Sequence, residues 1–502
     1  MQGGVYNSFF NDVYFSQDGG LAESRHVFLG GNDLPKAWAG KARFTIAETG
    51  FGTGLNFLAA WELFSKTTDS DQFLDYISFE RYPLRPLEIR GALAEWRGEL
   101  GPYLDLLLQR YPLRLPGFHR ILVAPRIRLT LILDDVNRAL PELDVPGGVN
   151  AWFLDGFSPA KNPEMWSERV FREVARLSAP GATAATFSAA RMVRDGLADV
   201  GFAVEKRPGH GRKKDMTTAI FSGVSGEGGR GKSPGSIAII GGGLAGSTCA
   251  HVMGAYGIGT TIFEKNPPPQ SVAAGTGRVA GLYNPRLSAH RSPESDFYTA
   301  GYAAAVRRFT VLQQQADIGF KFCGSLHLIT DDDRRKKLEG ACKTWDWPAE
   351  HMAVLNAEEA SARAGVSLSH DALFLPDSGS VSPFDLCRAY TGVTGMTEVR
   401  PNTGVTALSP AADGGWLVNG QKFDTVILAC AVAVREFAGL SWLPINTVRG
   451  QVTAVAATPQ TQSLQCHLSY GGYMSAAEGD RHWLGATFQK WLSDTALIPI
   501  VL

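Results

Sequence analysis

The sequence has almost no net charge and few cysteines. Its formal net charge is -1 over 502 residues, so the whole chain does not attract nucleic acid or an anionic membrane, and a polyanion site would have to be a local patch. Its 6 cysteines are scattered, without a C-x-x-C pair or a histidine at metal-ligand spacing. We therefore predict no metal site and no disulfide framework, but reduced thiols in a cytoplasmic protein.

The sequence also lacks the usual signals for export, membrane insertion and repeat folds. The N-terminus, MQGGVYNSFFNDVYFS, has neither the basic region nor the continuous apolar run of a signal peptide. Residues 236–263 carry no Asp, Glu, Lys or Arg, but glycines interrupt the segment after a short apolar run, which is typical of a buried strand and loop. No solenoid, propeller or heptad period is present. We expect a monomer with no membrane partner.

The composition is that of a globular protein with more than one domain. Apolar residues make up 44% of the chain and charged residues 19%, which argues against wholesale disorder. A stretch rich in glycine and serine at 222–235 predicts a flexible linker. It separates a front domain, residues 1–221, from a back domain, residues 236–502.

Short apolar runs alternate with helical stretches throughout the front domain. ARFTIAET, DYISFE, RLTLILDD and AWFLDGF predict strands, while LNFLAAWELF and RGALAEWRGEL predict helices. This alternation predicts an α/β fold with a parallel, doubly wound sheet. In such sheets ligands bind beyond the carboxyl ends of the strands, so the residues that follow each apolar run are the candidates for a site.

Carboxylates follow four of these predicted strands. They are Glu48, Glu80, the pair Asp134 and Asp135, and Asp155. A turn with Gly50, Gly52 and Gly54 follows the first strand. It lacks the G-x-G-x-x-G spacing of a dinucleotide loop, but its G-x-G-x-G spacing lets the backbone pass close to a nucleoside. This pattern suits S-adenosylmethionine, with Glu80 gripping the ribose hydroxyls and Asp134 or Asp135 near the adenine. A tight turn with surface carboxylates is the alternative.

Asp155 is the second residue of the segment LDGFSPAKNPEMW (154–166), in which Pro159 and Pro163 restrict the loop. Methyl transfer to an amine requires a neutral nitrogen lone pair and a group that accepts a proton. Asp155 is our candidate for accepting that proton or orienting the amine. An aspartate that caps a turn is the alternative.

The second glycine loop has the full dinucleotide context. In SIAIIGGGLAGSTCAHVMGAYGIGTTIFEK, Gly241, Gly243 and Gly246 follow a predicted strand and open a helix, and Glu264 ends the next strand. This pattern alone does not choose between NAD and FAD. The segments AAGTGRVAGLYNPRLS (273–288) and LPINTVRGQV (443–452) resemble flavin-contacting segments of D-amino-acid-oxidase-like enzymes, which favours FAD. Because of this resemblance, Gly275 and Arg278 in the first segment are also candidates for binding FAD.

Several front-domain segments together resemble the methyltransferase domain of the MnmC family of bacterial bifunctional enzymes. They are NDVYFSQDGGLAESRHVFLGGNDLP, ETGFGTGLNFL, YISFERYPL, LDGFSPAKNPEMW and KRPGHGRKKDM, spread over residues 6–220. The resemblance implies a Rossmann-like S-adenosylmethionine methyltransferase domain followed by an FAD-binding oxidoreductase domain with a Rossmann part and a mixed sheet. The implied substrate is the wobble uridine of tRNA.

The resemblance also implies two consecutive reactions. FAD-dependent oxidation removes the carboxymethyl group from 5-carboxymethylaminomethyl-uridine, and the resulting amine is then methylated to 5-methylaminomethyl-uridine. The cofactor motifs of the family match Glu48, Gly50, Gly52, Gly54 and Glu80, and its active-site aspartate matches Asp155. Asn56, in the resembling segment ETGFGTGLNFL, is a further candidate for binding S-adenosylmethionine.

Basic residues are the candidates for binding the substrate. A local cluster is expected to hold tRNA phosphates, with a solvated loop as the alternative; it comprises Lys206, Arg207, Arg212, Lys213 and Lys214. Arg286 and Arg449 are candidates for the substrate carboxylate, and each could equally be a surface or packing arginine.

The C-terminal end and the choice of substrate leave alternatives open. Family members continue beyond the segment that corresponds to LGATF, and the tail IPIVL does not resemble them, so we expect an FAD domain that is incomplete at its C-terminus. A methyltransferase attached to an inactive flavin domain, an enzyme acting on a free small amine, and a non-catalytic tRNA-binding protein are the competing functions.

Overall fold

The computed structural model describes residues 6–7, 12–13, 19–211, 213–223, 235–267 and 279–485. The chain divides into two compact units, Met1–Lys232 and Ser233–Leu502. Within the described ranges, no helix combines the length and the apolar character needed to cross a membrane. Three of the candidate residues, Arg212, Gly275 and Arg278, lie outside the described residues.

The strands of the first unit are β1 (Tyr6–Asn7), β2 (Asp12–Val13), β3 (Arg43–Glu48), β4 (Phe73–Phe79), β5 (Gly117–Ala124), β6 (Ile127–Leu133), β7 (Val149–Phe153), β8 (Ser178–Thr186), β9 (Phe202–Pro208) and β10 (Asp215–Phe221). Its α-helices are α1 (Gly20–Ser24), α2 (Leu55–Thr67), α3 (Pro86–Ala92), α4 (Arg97–Gln109), α5 (Val136–Ala139), α6 (Glu168–Leu177) and α7 (Arg191–Asp199). A π-helical turn covers Arg25–Gly30, and short 3₁₀ turns cover Lys36–Trp38, Ala94–Trp96, Leu140–Glu142 and Pro163–Trp166.

Eight strands of this unit form one sheet in the order β5-β6-β4-β3-β7-β8-β10-β9. The central strands β6, β4, β3, β7 and β8 are parallel, as the sequence predicts. The strands at the two edges are antiparallel: β5 runs antiparallel to β6, and β10 runs antiparallel to both β8 and β9. The prediction of a parallel sheet omits these edges. The short loop that joins β9 to β10 permits a hairpin but not a parallel crossover.

Apolar side chains cover both faces of the sheet. One core packs Trp38 against the rings of Phe44 and Phe64 at 5.8 and 5.2 Å, together with the buried side of α2. The other core contains Trp152 and Phe171, with the apolar stripe of α6. Burial on both faces explains why the central strands read as nearly continuous apolar runs in the sequence.

The strands of the second unit are β11 (Ile237–Ile240), β12 (Thr260–Phe263), β13 (Gly281–Tyr283), β14 (Ser325–Leu328), β15 (Ala353–Leu355), β16 (Ala372–Leu375), β17 (Gly379–Val381), β18 (Thr397–Arg400), β19 (Leu408–Pro410), β20 (Trp416–Val418), β21 (Gln421–Phe423), β22 (Thr425–Leu428), β23 (Thr453–Ala456), β24 (His467–Ser469), β25 (Tyr473–Met474) and β26 (Arg481–Gly485). Its α-helices are α8 (Leu244–Ala255), α9 (Pro293–Leu312), α10 (Asp332–Trp345), α11 (Ala357–Ala364) and α12 (Pro383–Gly392), and a 3₁₀ turn covers Ala431–Glu436.

The second unit combines a parallel sheet with a mixed sheet. The parallel sheet has the order β18-β12-β11-β22, and the mixed sheet has the order β15-β16-β14-β24-β25-β26-β23. A smaller antiparallel sheet, β19-β20-β21, precedes β22, which pairs with β11 in the parallel sheet. The charge-free segment 236–263 folds as β11, α8 and β12 and is therefore not a membrane span.

Candidate active site

A cavity of about 880 Å³ opens at the carboxyl edge of the first sheet. The strands β6, β4, β3 and β7, which end beside the predicted carboxylates, are direct neighbours in the sheet. Asp134, Glu80 and Asp155 all line the cavity. Strand order thus brings together acids that are far apart in the sequence, and the size of the cavity suits a small organic cofactor with a reacting group.

The turn after β3 requires glycine for geometric reasons. A Cβ atom at Gly50 would lie 3.2 Å from the backbone oxygen of Asp155, so only glycine allows the two segments to approach without a shift. Gly52 and Gly54 adopt φ angles of 52° and 77°, in the left-handed region that favours glycine. Gly54 precedes the first residue of α2, so the turn leads directly into the helix.

Glu80 holds the glycine turn and also faces the cavity. Its Oε2 accepts a hydrogen bond from the backbone N–H of Gly52 at 2.8 Å, and its Oε1 accepts one from Tyr82 at 2.7 Å. Burial raises the pKa of this carboxyl, although the backbone hydrogen bonds oppose the shift. Because a carboxylate oxygen can accept more than one hydrogen bond, Glu80 can still receive the two hydroxyls of a ribose.

The two acids after β6 are each paired with an arginine. Asp135 caps α5 by accepting the N–H of Asn137 at 2.9 Å, and its Oδ2 lies 2.6 Å from Nη1 of Arg81. Asp134 accepts hydrogen bonds from Nε of Arg138 at 2.8 and 2.9 Å. Both acids border the cavity, so the assignment of Asp134 or Asp135 to the adenine stays a prediction.

Asp155 is held by donors on both sides of its carboxylate. Its Oδ1 accepts the N–H of Gly156 at 2.8 Å, and its Oδ2 accepts Nδ2 of Asn56 at 2.7 Å. Its backbone oxygen accepts the hydroxyl of Thr49 at 2.6 Å. Burial raises the pKa of Asp155 to about 6, while Gly156, Asn56 and the positive charge of Lys213 oppose the shift. The side chain can therefore be charged at neutral pH and can still bind a proton.

A hydrogen bond from Trp166 closes the loop that follows Asp155. Nε1 of Trp166 donates to the backbone oxygen of Phe157 at 3.1 Å, which ties the end of the loop to its beginning. Gly156 has a φ of 150°, and a Cβ atom there would lie 2.6 Å from Cε of Met165. The side chain of Met165 therefore packs closely against the backbone at Gly156, the residue after Asp155.

Glu48 lies behind the cavity. It is fully buried and does not line the cavity. Its Oε1 accepts the same Asn56 Nδ2 group at 2.9 Å, and its Oε2 accepts the hydroxyl of Ser78 at 2.7 Å. Burial raises its pKa to about 8, and the negative charge of Asp155 adds to the shift. The structure thus places Glu48 against Asn56 and outside the cavity lining, and its part in cofactor binding stays a prediction.

Asn56 connects this buried acid to the cavity. Its Oδ1 accepts the hydroxyl of Ser24 at 2.5 Å, which leaves Nδ2 facing both carboxylates. Asn56 lines the cavity as well. The sequence singles it out only through the family resemblance. A position in the first turn of a helix does not predict that a side chain bridges two acids.

Residues from distant parts of the sequence also line the cavity. Nζ of Lys213 lies 2.8 Å from Oε1 of Glu23 and 4.0 Å from the centre of the Phe187 ring, and all three residues line the cavity. Sequence reasoning missed Glu23 and Phe187. Phe187 directly follows β8 but has no polar group, and Glu23 lies in one of the resembling segments, which does not single it out. Lys213, which the sequence assigns to tRNA phosphates, borders the same cavity as Asp155.

The other described members of the basic cluster lie on the hairpin. Lys206 and Arg207 belong to the edge strand β9 and form ion pairs with Asp215 and Glu205 at 2.7 and 2.9 Å. Lys214 is exposed in the loop before β10. Charges of this kind keep an edge strand from pairing with other chains, and the same charges can contact a polyanion.

The glycine loop of the second unit has the geometry of a dinucleotide site. Gly241 has a φ of 107°, and a Cβ atom there would lie 2.5 Å from the oxygen of Ala429. A Cβ atom at Gly246 would lie 1.9 Å from the oxygen of Gly241, so α8 packs directly on the loop, and Gly243 precedes the first residue of this helix. Backbone N–H groups at the start of α8 can therefore approach a pyrophosphate, which fits FAD.

Glu264 closes this loop from the end of β12. It accepts the N–H groups of Gly242 and Asn266 at 2.7 and 2.8 Å. The arginines predicted to hold a carboxylate have other partners. Nη1 of Arg286 lies 2.8 Å from Glu294, and Nη2 of Arg449 donates to Gln451 at 3.3 Å. Across the described residues, no group of three or more His, Cys, Asp or Glu side chains is placed to hold a metal ion.

Comparisons with known proteins identify a family for each unit. Residues 98–222 match the S-adenosyl-L-methionine-dependent methyltransferase family, and residues 236–499 match the FAD dependent oxidoreductase family. These matches confirm the fold class, the enzyme class and both expected cofactors. A crystal structure of glycine oxidase from Bacillus cereus aligns with 53% of this chain and 74% of its own, with 21% identity and a TM-score of 0.44.

Two curated relatives align with nearly the whole chain, and both are named tRNA 5-methylaminomethyl-2-thiouridine biosynthesis bifunctional protein MnmC. The relative from Nitrosospira multiformis is 38% identical, and the alignment covers 99% of this chain and 80% of the relative. The relative from Pseudomonas aeruginosa is also 38% identical, with coverages of 97% and 75%. The chain therefore belongs to the MnmC family of bifunctional enzymes, which confirms the resemblance found in the sequence.

Proposed function

We propose that this chain completes the 5-methylaminomethyl group on the wobble uridine of tRNA in two steps. The second unit removes the carboxymethyl group from 5-carboxymethylaminomethyl-(2-thio)uridine, and the first unit methylates the resulting amine. Family membership supports the substrate. The observation that carries the methyl-transfer step is the Asp155 carboxylate, which lines a cavity beside the glycine turn and Glu80.

Methyl transfer requires that the amine lose a proton as it gains a carbon. S-adenosylmethionine supplies a methyl group on a positively charged sulfur; the N–C bond forms, the C–S bond breaks, and the proton must leave the nitrogen. Asp155 accepts this proton or orients the amine, because its carboxylate is fixed on both sides and its pKa is raised to about 6. Glu80 grips the ribose, and Asp134 or Asp135 lies near the adenine.

In the second unit, the glycine loop and Glu264 would hold the ADP part of FAD. FAD supplies a two-electron oxidant for the C–N bond of the carboxymethylamino group, and hydrolysis of the oxidised product then releases the amine. Gly275 and Arg278 are proposed as further FAD contacts. Arg286 and Arg449 are proposed to hold the substrate carboxylate, although Arg286 must then leave Glu294.

The further features of this proposal concern the partner and the domains. Basic residues on and near β9 contact tRNA phosphates; they are Lys206, Arg207, Arg212 and Lys214. Residues 1–221 form the methyltransferase domain and 236–502 the oxidoreductase domain, joined by the linker 222–235. We propose a monomeric cytoplasmic enzyme that needs no metal. Joining the domains raises the effective concentration of the tRNA that carries the 5-aminomethyl group at the methyltransferase site.

The first experiment supplies isotope-labelled S-adenosylmethionine and tRNA whose wobble uridine carries 5-aminomethyl. We expect label in the nucleoside, and none with Asp155→Asn, which keeps the size of the side chain but removes its charge. Label in a free small amine but not in tRNA would refute the tRNA substrate. A flavin absorbance band that bleaches with 5-carboxymethylaminomethyl tRNA is expected for the first step, and a permanently oxidised flavin would refute that step.

A further inference from the structure

Asn56 donates hydrogen bonds to two carboxylates at once. Its Nδ2 lies 2.7 Å from Oδ2 of Asp155 and 2.9 Å from Oε1 of Glu48. The hydroxyl of Ser24 fixes the other end of the amide at 2.5 Å. One amide group therefore sets the distance between an acid that lines the cavity and an acid that does not.

The environment of Glu48 disfavours a second negative charge. Glu48 is fully buried, and it makes no ion pair with any residue in the described ranges, while the oxygen that faces away from Asn56 meets the Ser78 hydroxyl. The titratable groups that face it are Asp155 and the buried phenol of Tyr76. Two carboxylates that share one site do not both ionise readily, and the one excluded from solvent keeps its proton.

We propose that Glu48 is a positioning residue for Asp155, holding the Asn56 amide in place as a neutral carboxylic acid. This inference rests on the proposed function only for the role of Asp155 in methyl transfer. The raised pKa of Glu48, about 8, agrees with the neutral form at neutral pH. A protonated Oε2 can donate to Ser78 while Oε1 still accepts from Asn56.

Substitution by glutamine tests the charge without removing the contacts. The glutamine in Glu48→Gln has the size of a neutral acid, and its amide can donate to Ser78 and accept from Asn56. We expect Glu48→Gln to keep kcat for methyl transfer within about threefold, whereas Glu48→Ala lowers kcat by about tenfold or more. The dissociation constant of S-adenosylmethionine should change little in either variant, because Glu48 does not line the cavity. Equal losses of kcat in both variants would overturn the inference.

A second readout does not depend on catalysis. A raised folded-state pKa means that Glu48 keeps its proton on folding, so its contribution to stability is complete below the unfolded pKa of about 4.5 and is lost as the pH rises through about 8. We therefore expect Glu48→Gln to become more stable relative to the unaltered chain as the pH rises across this window. The measured transition is the one whose melting temperature S-adenosylmethionine raises.

Glu62, which lies on α2 together with Asn56, supplies a matched control. It is also buried, but hydrogen bonds from Lys66 and Arg25 outweigh the effect of burial and lower its pKa. Its contribution is constant above its unfolded pKa, so Glu62→Gln should melt with a constant offset over the same window.

The possible outcomes separate the two hypotheses. Parallel melting curves for Glu48→Gln and the unaltered chain would overturn the neutral-acid inference. Absence of methyl transfer by the unaltered chain would instead refute the proposed reaction, while the melting curves would still show whether Glu48 is charged. Above about pH 8, the ratio of kcat in Glu48→Gln to kcat in the unaltered chain should rise, because only the unaltered chain then carries two charged acids beside Asn56. The titration of the substrate amine is common to both proteins and cancels in this ratio.

Discussion

Replacement of Asn56 by aspartate should destabilise the first unit in a pH-dependent way. Asn56→Asp keeps the shape of the side chain and the acceptor for Ser24, but it exchanges the donor at 2.7 and 2.9 Å from two acids for a third carboxylate oxygen. A hydrogen bond to a charged partner is worth about 1.5–3 kcal/mol and a neutral one about 0.5–1.5 kcal/mol, so the loss is about 2 to 4.5 kcal/mol. This is a large part of the stability of a typical domain.

The pH dependence follows from proton binding. To relieve repulsion among three carboxylates, the folded variant must bind an extra proton that the unfolded chain releases above about pH 4.5. Its free energy of unfolding, relative to the unaltered chain, should therefore fall by up to about 1.4 kcal/mol per pH unit for each extra proton as the pH rises from about 5 to 8.

Chemical denaturation at several pH values measures this difference. Asn137→Asp is a suitable control, because Asn137 also lines the cavity but its Nδ2 donates to the backbone oxygen of Glu164 at 3.2 Å. We expect a much weaker pH dependence in that variant. An Asn56→Asp variant whose loss of stability is the same at pH 5 and at pH 8, within about 0.5 kcal/mol, would refute the shared-donor reasoning.

The remaining predictions concern ligands and rate. Glu80→Ala removes the acceptor for two backbone N–H groups and the proposed ribose grip, so the dissociation constant of S-adenosylmethionine, measured by calorimetry, should rise by about 10- to 100-fold; an unchanged constant would remove Glu80 from the site. The methyl-transfer rate should fall below about pH 6 as Asp155 gains a proton. Because Lys213 lowers the pKa of Asp155, Lys213→Ala should shift this fall in rate to higher pH. Lys214→Ala should instead leave the pH profile in place and reduce the salt dependence of tRNA binding by about one phosphate contact; identical behaviour of the two lysine variants would contradict this division. Gly241→Ala places a Cβ atom 2.5 Å from a backbone oxygen at a φ of 107°, so the purified protein should lose its flavin absorbance, and normal retention of flavin would contradict the role of the loop.

The sequence predicts those parts of the site that follow from strand order. Each apolar run of the front domain that precedes an acid is a strand, and the acids after β3, β4, β6 and β7 meet because parallel strands place their carboxyl ends at one edge. The glycine patterns likewise predict both loops, because Gly52, Gly54 and Gly241 adopt positive φ angles that favour glycine. The predicted placement of Glu80, Asp155 and Glu264 at the ends of strands is confirmed in this way.

The sequence does not predict contacts between distant segments. Lys213 lies in a basic cluster that suggests a surface role, and only the β9–β10 hairpin shows that it reaches Glu23 and the cavity. Glu48 follows a strand just as Glu80 does, yet one acid is buried against Asn56 and the other lines the cavity. Which of two acids faces a ligand depends on the direction of the side chain, and a one-dimensional pattern does not contain that direction.

The close approach between Gly50 and Asp155 constrains how this enzyme can diversify. The hydroxyl of Thr49 binds the backbone of Asp155, and a Cβ atom on Gly50 would press on the same oxygen. The turn proposed to receive the methyl donor and the residue proposed to accept the proton are thus in direct contact, so a mutation that reshapes the turn would also displace Asp155. New substrate preferences are therefore more accessible at cavity residues outside this contact, such as Phe187, whereas Lys213 and Glu23 lie close enough to Asp155 to change its pKa.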